Sequence, residues 1–185
     1  MRARMALKLA GIVVEIREIS LRDKPAHMLQ VSPKATVPVF VLQDGSMIDE
    51  SLAIMEYALK EHALGANIHA SCRALVLMND TAFKKNLDCY KYPERHPEKS
   101  QLEYRAQGEV FLQTLESLLM QNTYLFASTP SFADYAIFPF IRQFAAVDST
   151  WFAKSDYPKL KAWLDNWIES DLFKNIMKKN PTCVG

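Results

Sequence analysis

The spacing of apolar residues changes along this 185-residue chain, and that change limits the folds open to it. The first 62 residues mix two patterns: residues 2–10 have a helical apolar face, whereas residues 12–19 and 37–42 follow a strand pattern. From residue 63 onward the apolar residues recur at helical spacing. The sequence therefore predicts a small α/β unit followed by an all-α unit.

Local signals set the element boundaries in the first unit. Gly11 follows the first helix and is expected to stop it. The turn residues 43–46 join the strand at 37–42 to a hairpin partner at 47–48. A further helix is expected after Ser51, with Leu52, Met55 and Leu59 on its apolar stripe.

The second unit is expected to contain four helices, at residues 71–88, 99–121 and 132–146 and from Pro158 onward. In the last of these, Trp163 and Trp167 lie on one helical face, which indicates core packing. In the second, the predicted buried face is Val110, Phe111, Leu115, Leu118 and Leu119. The small residues at 63–69 suit a linker, so the predicted domains are 1–62 and 70–185.

Composition excludes several classes of function. With 22 basic and 21 acidic residues and no long basic stretch, the chain does not resemble a nucleic-acid-binding protein. No apolar run approaches the roughly 20 residues of a membrane span. Cys72, Cys89 and Cys183 are far apart, which indicates free thiols in a reducing cytoplasm. Of the four histidines only His62 and His69 are near one another, and no acidic or cysteine partner completes a metal site, so metal binding is not expected.

Residues 31–40 read Val-Ser-Pro-Lys-Ala-Thr-Val-Pro-Val-Phe and place Pro38 inside a strand pattern. Proline lacks a backbone N–H and cannot serve a central strand, so one interpretation is an edge-strand proline without functional weight. The other is a cis Val37–Pro38 bond that leaves the backbone of Val37 free to pair with an extended peptide. Both stay open on this segment alone.

The second segment, Asp49-Glu50-Ser51, lies between a strand and a helix. A helix N-terminus presents unpaired N–H groups and partial positive charge, so it favours a carboxylate ligand. Ser51 could bond that ligand, and Glu50 could take an ammonium group, which together suit an amino-acid head group. The alternative is that Ser51 simply caps the helix.

Joined, the two segments resemble the glutathione-binding site of the bacterial cytosolic glutathione S-transferases, whose first domain carries Pro-Lys-Gly-x-Val-Pro and then Glu-Ser before a helix. Residues 2–7 resemble the first helix of that domain, residues 21–25 the loop after its second strand, and residues 50–55 the start of its third helix. The resemblance implies a truncated thioredoxin-like α/β domain followed by an all-α helical-bundle domain.

The resemblance also implies roles for individual residues. In the family, the valine before the cis-proline pairs with the cysteinyl backbone of glutathione, and the Glu-Ser pair holds the γ-glutamyl end. These roles carry over to Val37, Pro38, Glu50 and Ser51, with Lys34 as a candidate for the glycyl carboxylate. Glutathione is then a co-substrate, the second substrate is a small electrophile or disulfide, and a cytoplasmic homodimer is expected.

Position 35 and the N-terminus depart from the family pattern. Ala35 stands where the family has glycine, so the loop is strained or differently shaped if that position needs a positive φ. The family's activating serine, tyrosine or cysteine precedes the first helix, yet residues 1–11 contain no Ser, Cys, Tyr or His. We therefore expect the first strand and the catalytic residue to be missing, and the catalytic residue is not assigned.

Two segments of the helical half carry further expectations. Ser131 and Asp134 have the Ser-x-x-Asp spacing of a capping box, similar to that of the transferase C-terminal domain, and are assigned to folding. The second segment is residues 79–93, which is rich in polar and aromatic residues. In the family, the helix at this position helps to line the electrophile pocket, which makes Tyr90, Lys91 and Tyr92 candidates for substrate contact. The alternative for these three is a solvated helix end.

Three functions stay open. The chain is a glutathione S-transferase-like enzyme that transfers or exchanges the glutathione thiol, a non-catalytic binding or interaction module of the same fold, or a glutaredoxin-like thiol-disulfide reductase. The codons upstream of Met1 discriminate among them. An in-frame strand followed by Cys-Pro-Tyr or Ser-Pro indicates the transferase, a stop codon the module, and CxxC the reductase.

Overall fold

The computed structural model describes residues 1–20, 24–32, 34–66 and 68–181. The expectations for residues 21–23, Pro33 and Cys183 lie outside these residues. Contacts divide the chain into two compact units: residues 1–66 with 171–185, and residues 67–170.

The first unit is a two-stranded antiparallel sheet with short helices around it. Its elements are α1 (Arg2–Leu9), α2 (Ala26–Val31), β1 (Val39–Val41), β2 (Met47–Asp49), α3 (Ser51–Leu59) and α4 (Ala63–Ala66). The hairpin is as predicted, with Val39 opposite Asp49, Phe40 opposite Ile48 and Val41 opposite Met47. The segment expected to be a linker therefore contains one helical turn, α4.

The end of α1 confirms the predicted role of Gly11, whose φ is +67°. The N–H of Ile12 donates to the carbonyl of Leu7 at 3.0 Å, and the N–H of Gly11 donates to that of Lys8 at 3.2 Å. This pair of hydrogen bonds is a Schellman motif, which needs a left-handed residue at that position. Helix α1 packs against α3, and Met5 and Met55 are fully buried.

The strand predicted at residues 12–19 is wrong for the described residues. Residues 12–17 have no regular secondary structure, and only Glu18 and Ser20 form isolated bridges. A strand pattern becomes a strand only where a neighbouring strand completes the ladder of backbone hydrogen bonds. Here none of the apolar residues of the pattern is buried: Val13 and Ile16 are exposed, Val13 to 97%, and Ile12, Val14 and Ile19 are half-buried.

The described part of the second unit consists of helices and connecting loops, without a strand. It contains α5 (Ala70–Met78), a π-helical turn (Asn79–Phe83), α6 (Lys84–Lys91), a 3₁₀ turn (Pro93–Arg95), α7 (Gln101–Gln121), α8 (Phe132–Val147), α9 (Ser149–Lys154) and α10 (Pro158–Glu169). The helix expected at residues 71–88 is thus interrupted by the π-turn. Helix α9 was not predicted.

The core of the second unit confirms most of the predicted apolar faces. Trp163 and Trp167 are buried and pack with Phe138. Val110, however, is 62% exposed, so its assignment to the buried face of α7 is wrong. One residue corresponds to about 100° of helical rotation, so Val110 points away from the core that its neighbour Phe111 reaches.

The last helix, α11 (Asp171–Ile176), was also not predicted. It packs against α1 within the first unit, where Arg4 Nη1 donates to the carbonyl of Ile176 at 3.3 Å. The sequence had assigned all residues after 70 to the helical domain; the contacts place α11 with the α/β unit instead. Among the helices that the structure describes, none is long and apolar enough to cross a bilayer.

Because two buried tyrosines have raised pKa values, we expect the protein to lose stability at alkaline pH. Burial, aided by the Asp134 carboxylate, raises the pKa of Tyr135 to about 12. Burial also raises the pKa of Tyr157 to about 12. The Glu109 carboxylate, which accepts a hydrogen bond from the Tyr157 hydroxyl at 3.1 Å, adds to the rise. In the unfolded chain tyrosine has a pKa of about 10. Between pH values of about 10 and about 12 the folded state therefore binds more protons than the unfolded state, so the free energy of unfolding falls as pH rises.

Urea unfolding at a series of pH values from about 9 to about 12 measures this slope. Tyr135→Phe and Tyr157→Phe should each make stability fall less steeply with pH. A slope that is the same in both variants and in the wild type would contradict the assignment.

Candidate functional site

The predicted glutathione-binding residues of the first unit lie at one end of the β1–β2 hairpin. Val39 opens β1 and is paired with Asp49, which closes β2. Residues 34–38 therefore lead into the hairpin at the same end at which Glu50 follows it. Lys34 Nζ lies 2.8 Å from Asp49 Oδ2 and links the two segments directly.

The Val37–Pro38 bond is cis, as one of the two interpretations predicted. The Val37 side chain is 49% exposed. Within the described residues, neither the N–H nor the C=O of Val37 forms a backbone hydrogen bond. A free, exposed backbone next to a strand end is a suitable partner for an extended peptide.

Glu50 connects β2 to α3 as a single residue with φ +68° and ψ 125°. This conformation is uncommon for a residue with a side chain, and such residues cluster at ligand-binding positions. Glu50, and not Ser51, occupies the N-cap position of α3, and the Glu50 side chain makes no capping hydrogen bond. The interpretation of Ser51 as the cap is therefore wrong, because Ser51 is already the first helical residue.

The first turn of α3 is open to a ligand. The half-buried Ser51 side chain makes no hydrogen bond to any described residue. The first intrahelical N–H bond is donated by Ile54, to the carbonyl of Glu50 at 3.1 Å. The N–H groups of residues 51–53 thus have no intrahelical acceptor and can receive a carboxylate, while the exposed Glu50 carboxylate can receive an ammonium group.

Lys34 has a partner of its own. The ion pair with Asp49 raises the pKa of the Lys34 ammonium group, chiefly through their hydrogen bond. Because the lysine side chain is 64% exposed, it keeps donors free toward solvent. A role toward the glycyl carboxylate stays a prediction.

Ala35 adopts the left-handed conformation that was expected for a glycine, with φ +52°. For residues with a Cβ this region costs about 1–2 kcal/mol. Ala35→Gly should therefore stabilise the protein, by about 0.5–1 kcal/mol after the entropy cost of glycine is subtracted. Chemical denaturation measures the change.

The matched control for that variant is Ala106→Gly on the exposed face of α7, which should destabilise the protein by about 1 kcal/mol. If both variants lost stability equally, the strain assigned to Ala35 would be absent.

The structure places the three candidate substrate-contact residues of the second unit in different surroundings. Tyr90 is 2% exposed, and its ring packs on Phe144 with centroids 5.0 Å apart. Lys91 is exposed, and its Nζ lies 4.9 Å from the ring of Tyr92. Tyr90 and Lys91 are consecutive residues of α6 and point about 100° apart, whereas Lys91 and Tyr92 contact each other. Their contact with a substrate stays a prediction.

Asp134 has more partners than a cap requires. Its Oδ2 accepts from the backbone N–H and the hydroxyl of Ser131, which confirms the capping box. Its Oδ1 accepts from the N–H of Leu125 at 3.0 Å and from the Trp163 indole at 2.8 Å. Burial raises the pKa of the Asp134 carboxyl, and these four hydrogen bonds oppose the rise. The Ser-x-x-Asp spacing indicated only the local half of this network.

The described thiols are poorly placed for chemistry. Cys72 and Cys89 are both buried. Burial raises the pKa of the Cys72 thiol and so disfavours the reactive thiolate. In the described part of the chain, no three potential ligands among His, Cys, Asp and Glu are grouped closely enough to hold a metal ion.

Comparison with known proteins gives two family matches along the chain. Residues 1–66 match the glutathione S-transferase N-terminal domain, and residues 103–166 match the glutathione S-transferase C-terminal domain. A probable glutathione S-transferase, parA, of Nicotiana tabacum is 27% identical over 92% of this chain and 80% of its own length. Glutathione S-transferase omega-1 of Mus musculus is 24% identical over 88% of this chain and 69% of its own length.

Solved structures share the fold. A glutathione S-transferase from Methylobacillus flagellatus, solved with glutathione bound, superposes with a TM-score of 0.78 at 19% identity, over 94% of this chain and 91% of its own. A glutathione S-transferase from Rhodospirillum rubrum F11 superposes with a TM-score of 0.77 at 21% identity, over 97% of this chain and 87% of its own. At such low sequence identity, structural similarity establishes the fold but not the ligand or the reaction.

Proposed function

Because this chain belongs to the glutathione S-transferase family, we propose that its first unit binds glutathione at the hairpin end formed by residues 34–38 and Glu50–Ser51. Glutathione is a short extended peptide with an amino-acid head group at its γ-glutamyl end. The observation that carries the proposal is the pairing of a free Val37 backbone with an open α3 N-terminus at one hairpin end.

Each end of the ligand has a matching group. The γ-glutamyl carboxylate lies against the N–H groups of residues 51–53 and the Ser51 hydroxyl, and its ammonium group lies against Glu50. The cysteinyl backbone pairs with Val37, next to Pro38. Lys34, still partly exposed beside Asp49, faces the glycyl carboxylate.

We further propose that residues 1–185 position glutathione without activating its thiol. The thiolate is the reactive species, and a free thiol has a pKa of about 8.5, so a nearby hydroxyl, thiol or cation must favour ionisation. Residues 1–11 contain no Ser, Cys, Tyr or His, and Cys72 and Cys89 are buried. Of the arginines in that segment, Arg2 is buried and Arg4 is ion-paired with Glu18 at 2.6 Å. The reaction that we propose once the thiol is activated is conjugation of glutathione to a small electrophile or its exchange with a disulfide, in a cytoplasmic homodimer.

The test compares this chain with a version extended upstream by a strand that ends in Cys-Pro-Tyr or Ser-Pro. Conjugation to an aromatic electrophile and reduction of a glutathione mixed disulfide are assayed for both, alongside glutathione affinity. We expect both chains to bind glutathione and only the extended chain to turn over substrate.

The other outcomes discriminate among the functions. Equal turnover by the 185-residue chain would contradict the claim about activation. Binding without turnover in either version would favour a non-catalytic module. An upstream CxxC with disulfide reduction but no conjugation would favour a glutaredoxin-like reductase.

A further inference from the structure

A cavity with a volume of about 850 Å³ lies in the first unit, along one edge of the hairpin. Its lining includes residues 12–15 and the whole of β1, but no residue of β2. The cavity therefore lies at the edge of β1 that faces away from β2. We call it the β1 groove.

The backbone of β1 is unpaired on the side of the groove. The N–H of Leu42 donates to the carbonyl of Ser46 at 2.8 Å, and hydrogen-bonded positions recur at every second residue of an antiparallel pair. The N–H and C=O of Phe40 thus face β2, and those of Val39 and Val41 face away from it. In the part of the chain that the structure describes, no residue bonds to this outer edge. Such a row of unpaired groups is a template for a further strand.

Residues 13–16, which border the same groove, are also without backbone partners. The N–H of Ile12 is bonded to the carbonyl of Leu7 at 3.0 Å, but the backbone groups of residues 13–16 form no hydrogen bond to any described residue. This is the segment whose sequence has a strand pattern but which forms no strand. What it lacks is a neighbouring strand on the side of the groove, and β1 lacks one as well.

The side chains of the groove favour an apolar occupant. Val13 and Val41 are exposed and Val14 is half-buried, so apolar surface is open to solvent on both sides. The charged lining residues Glu15 and Arg17 pair with each other, with Arg17 Nε donating to Glu15 Oε1 at 2.9 Å, and need no charge from an occupant. A small apolar molecule would cover these side chains but would leave the backbone groups without partners, which is costly away from water.

We propose that the β1 groove binds an extended segment of another protein, with apolar residues at alternate positions, as an added strand. The added strand bonds to the N–H and C=O groups of Val39 and Val41 on one side and to those of residues 13–16 on the other. Strands of about five residues are typical and match the length of these two edges. The proposal does not depend on glutathione binding, because it uses neither Val37 nor Glu50–Ser51.

The test titrates the isotope-labelled 185-residue chain with the acetylated and amidated peptide Lys-Val-Thr-Val-Thr-Val-Lys. We expect saturable amide shifts at Val39, Val41 and residues 13–16. Hydrogen exchange at the amides of Val39 and Val41 should slow, because each becomes a donor to the added strand. The same peptide with N-methylated valines keeps its side chains but loses donors, so it should bind at least about tenfold more weakly.

Val41→Pro is the decisive variant of the protein. It removes an N–H that faces the groove and not β2, so the hairpin and the Tm should be retained while peptide affinity falls about tenfold or more. Met47→Pro is the matched control. Met47 lies opposite Val41, and its N–H likewise faces away from the partner strand, but on the edge outside the groove. This variant should bind the peptide normally.

Several outcomes would overturn the proposal. These are equal binding of the two peptides, no saturable binding, or binding that leaves exchange at Val39 and Val41 unchanged. Exchange at these amides that slows with protein concentration, without peptide, would assign the groove to a second copy of the chain instead. Saturating glutathione should leave peptide affinity unchanged, and glutathione binding is read separately at residues 51–53, so either proposal can fail without the other.

Discussion

Asp134→Ala is expected to lower the free energy of unfolding by about 3–5 kcal/mol, more than a helix cap alone contributes. The substitution leaves the N–H of Leu125 and the indole N–H of Trp163 buried without an acceptor, at about 1–3 kcal/mol each. It also removes the capping contact with Ser131, which is worth about 1 kcal/mol. Urea denaturation of the purified chain measures the loss.

Ser131→Ala is the matched control, because it removes only the local half of the network. It should cost about 1 kcal/mol. Asp134→Asn should fall between the two variants, since the amide keeps one acceptor oxygen for Leu125 and Trp163. If Asp134→Ala lost no more stability than Ser131→Ala, the contacts to Leu125 and Trp163 would carry no net energy.

Ser51→Ala is expected to weaken glutathione binding about 10- to 100-fold while leaving stability unchanged. A hydrogen bond from a hydroxyl to a charged carboxylate contributes about 1.5–3 kcal/mol, which corresponds to that range of affinity. Stability should not change because the Ser51 hydroxyl caps no helix and has no described partner. Calorimetric titration of glutathione and thermal unfolding of the same samples give the two numbers.

Ser117→Ala is the control for this pair of measurements. The Ser117 hydroxyl bonds only the carbonyl of Gln113 in its own helix, so neither affinity nor Tm should change appreciably. Unchanged glutathione affinity in Ser51→Ala would remove Ser51 from the binding site. A large loss of stability would assign it a structural role instead.

Local sequence signals predicted the parts of the fold that depend on neighbouring residues. Gly11 stops α1 through its own left-handed conformation, and Pro158 begins α10 where its missing N–H costs nothing. The apolar spacing of Trp163 and Trp167 fixed the buried face of that helix. The hairpin followed from the turn residues between β1 and β2.

The errors arose where distant partners decide the outcome. Residues 12–19 have a strand pattern, but a pattern cannot supply the neighbouring backbone that a ladder needs. The π-turn at Asn79–Phe83 adds a residue to a helix whose apolar spacing still resembles an uninterrupted one. The docking of α11 on α1 depends on contacts about 170 residues apart, such as that of Arg4 with Ile176.

The same division applies to the candidate site. The motif indicated that Val37, Pro38, Glu50 and Ser51 belong together, and the hairpin register places them at one end. The sequence could not decide whether Ser51 caps its helix, because the backbone of Glu50 settles that question. Nor could it reveal the ion pair of Lys34 with Asp49.

The most direct test of the central claim is to map glutathione binding on the 185-residue chain by backbone amide shifts. We predict saturable shifts at Val37 and at residues 51–53, with loss of these shifts in the Ser51→Ala variant. Oxidised or S-methylated glutathione should shift the same amides, since the claim concerns the peptide and not the thiol. Saturable binding that leaves residues 37 and 51–53 unshifted, or no binding at millimolar glutathione, would contradict it.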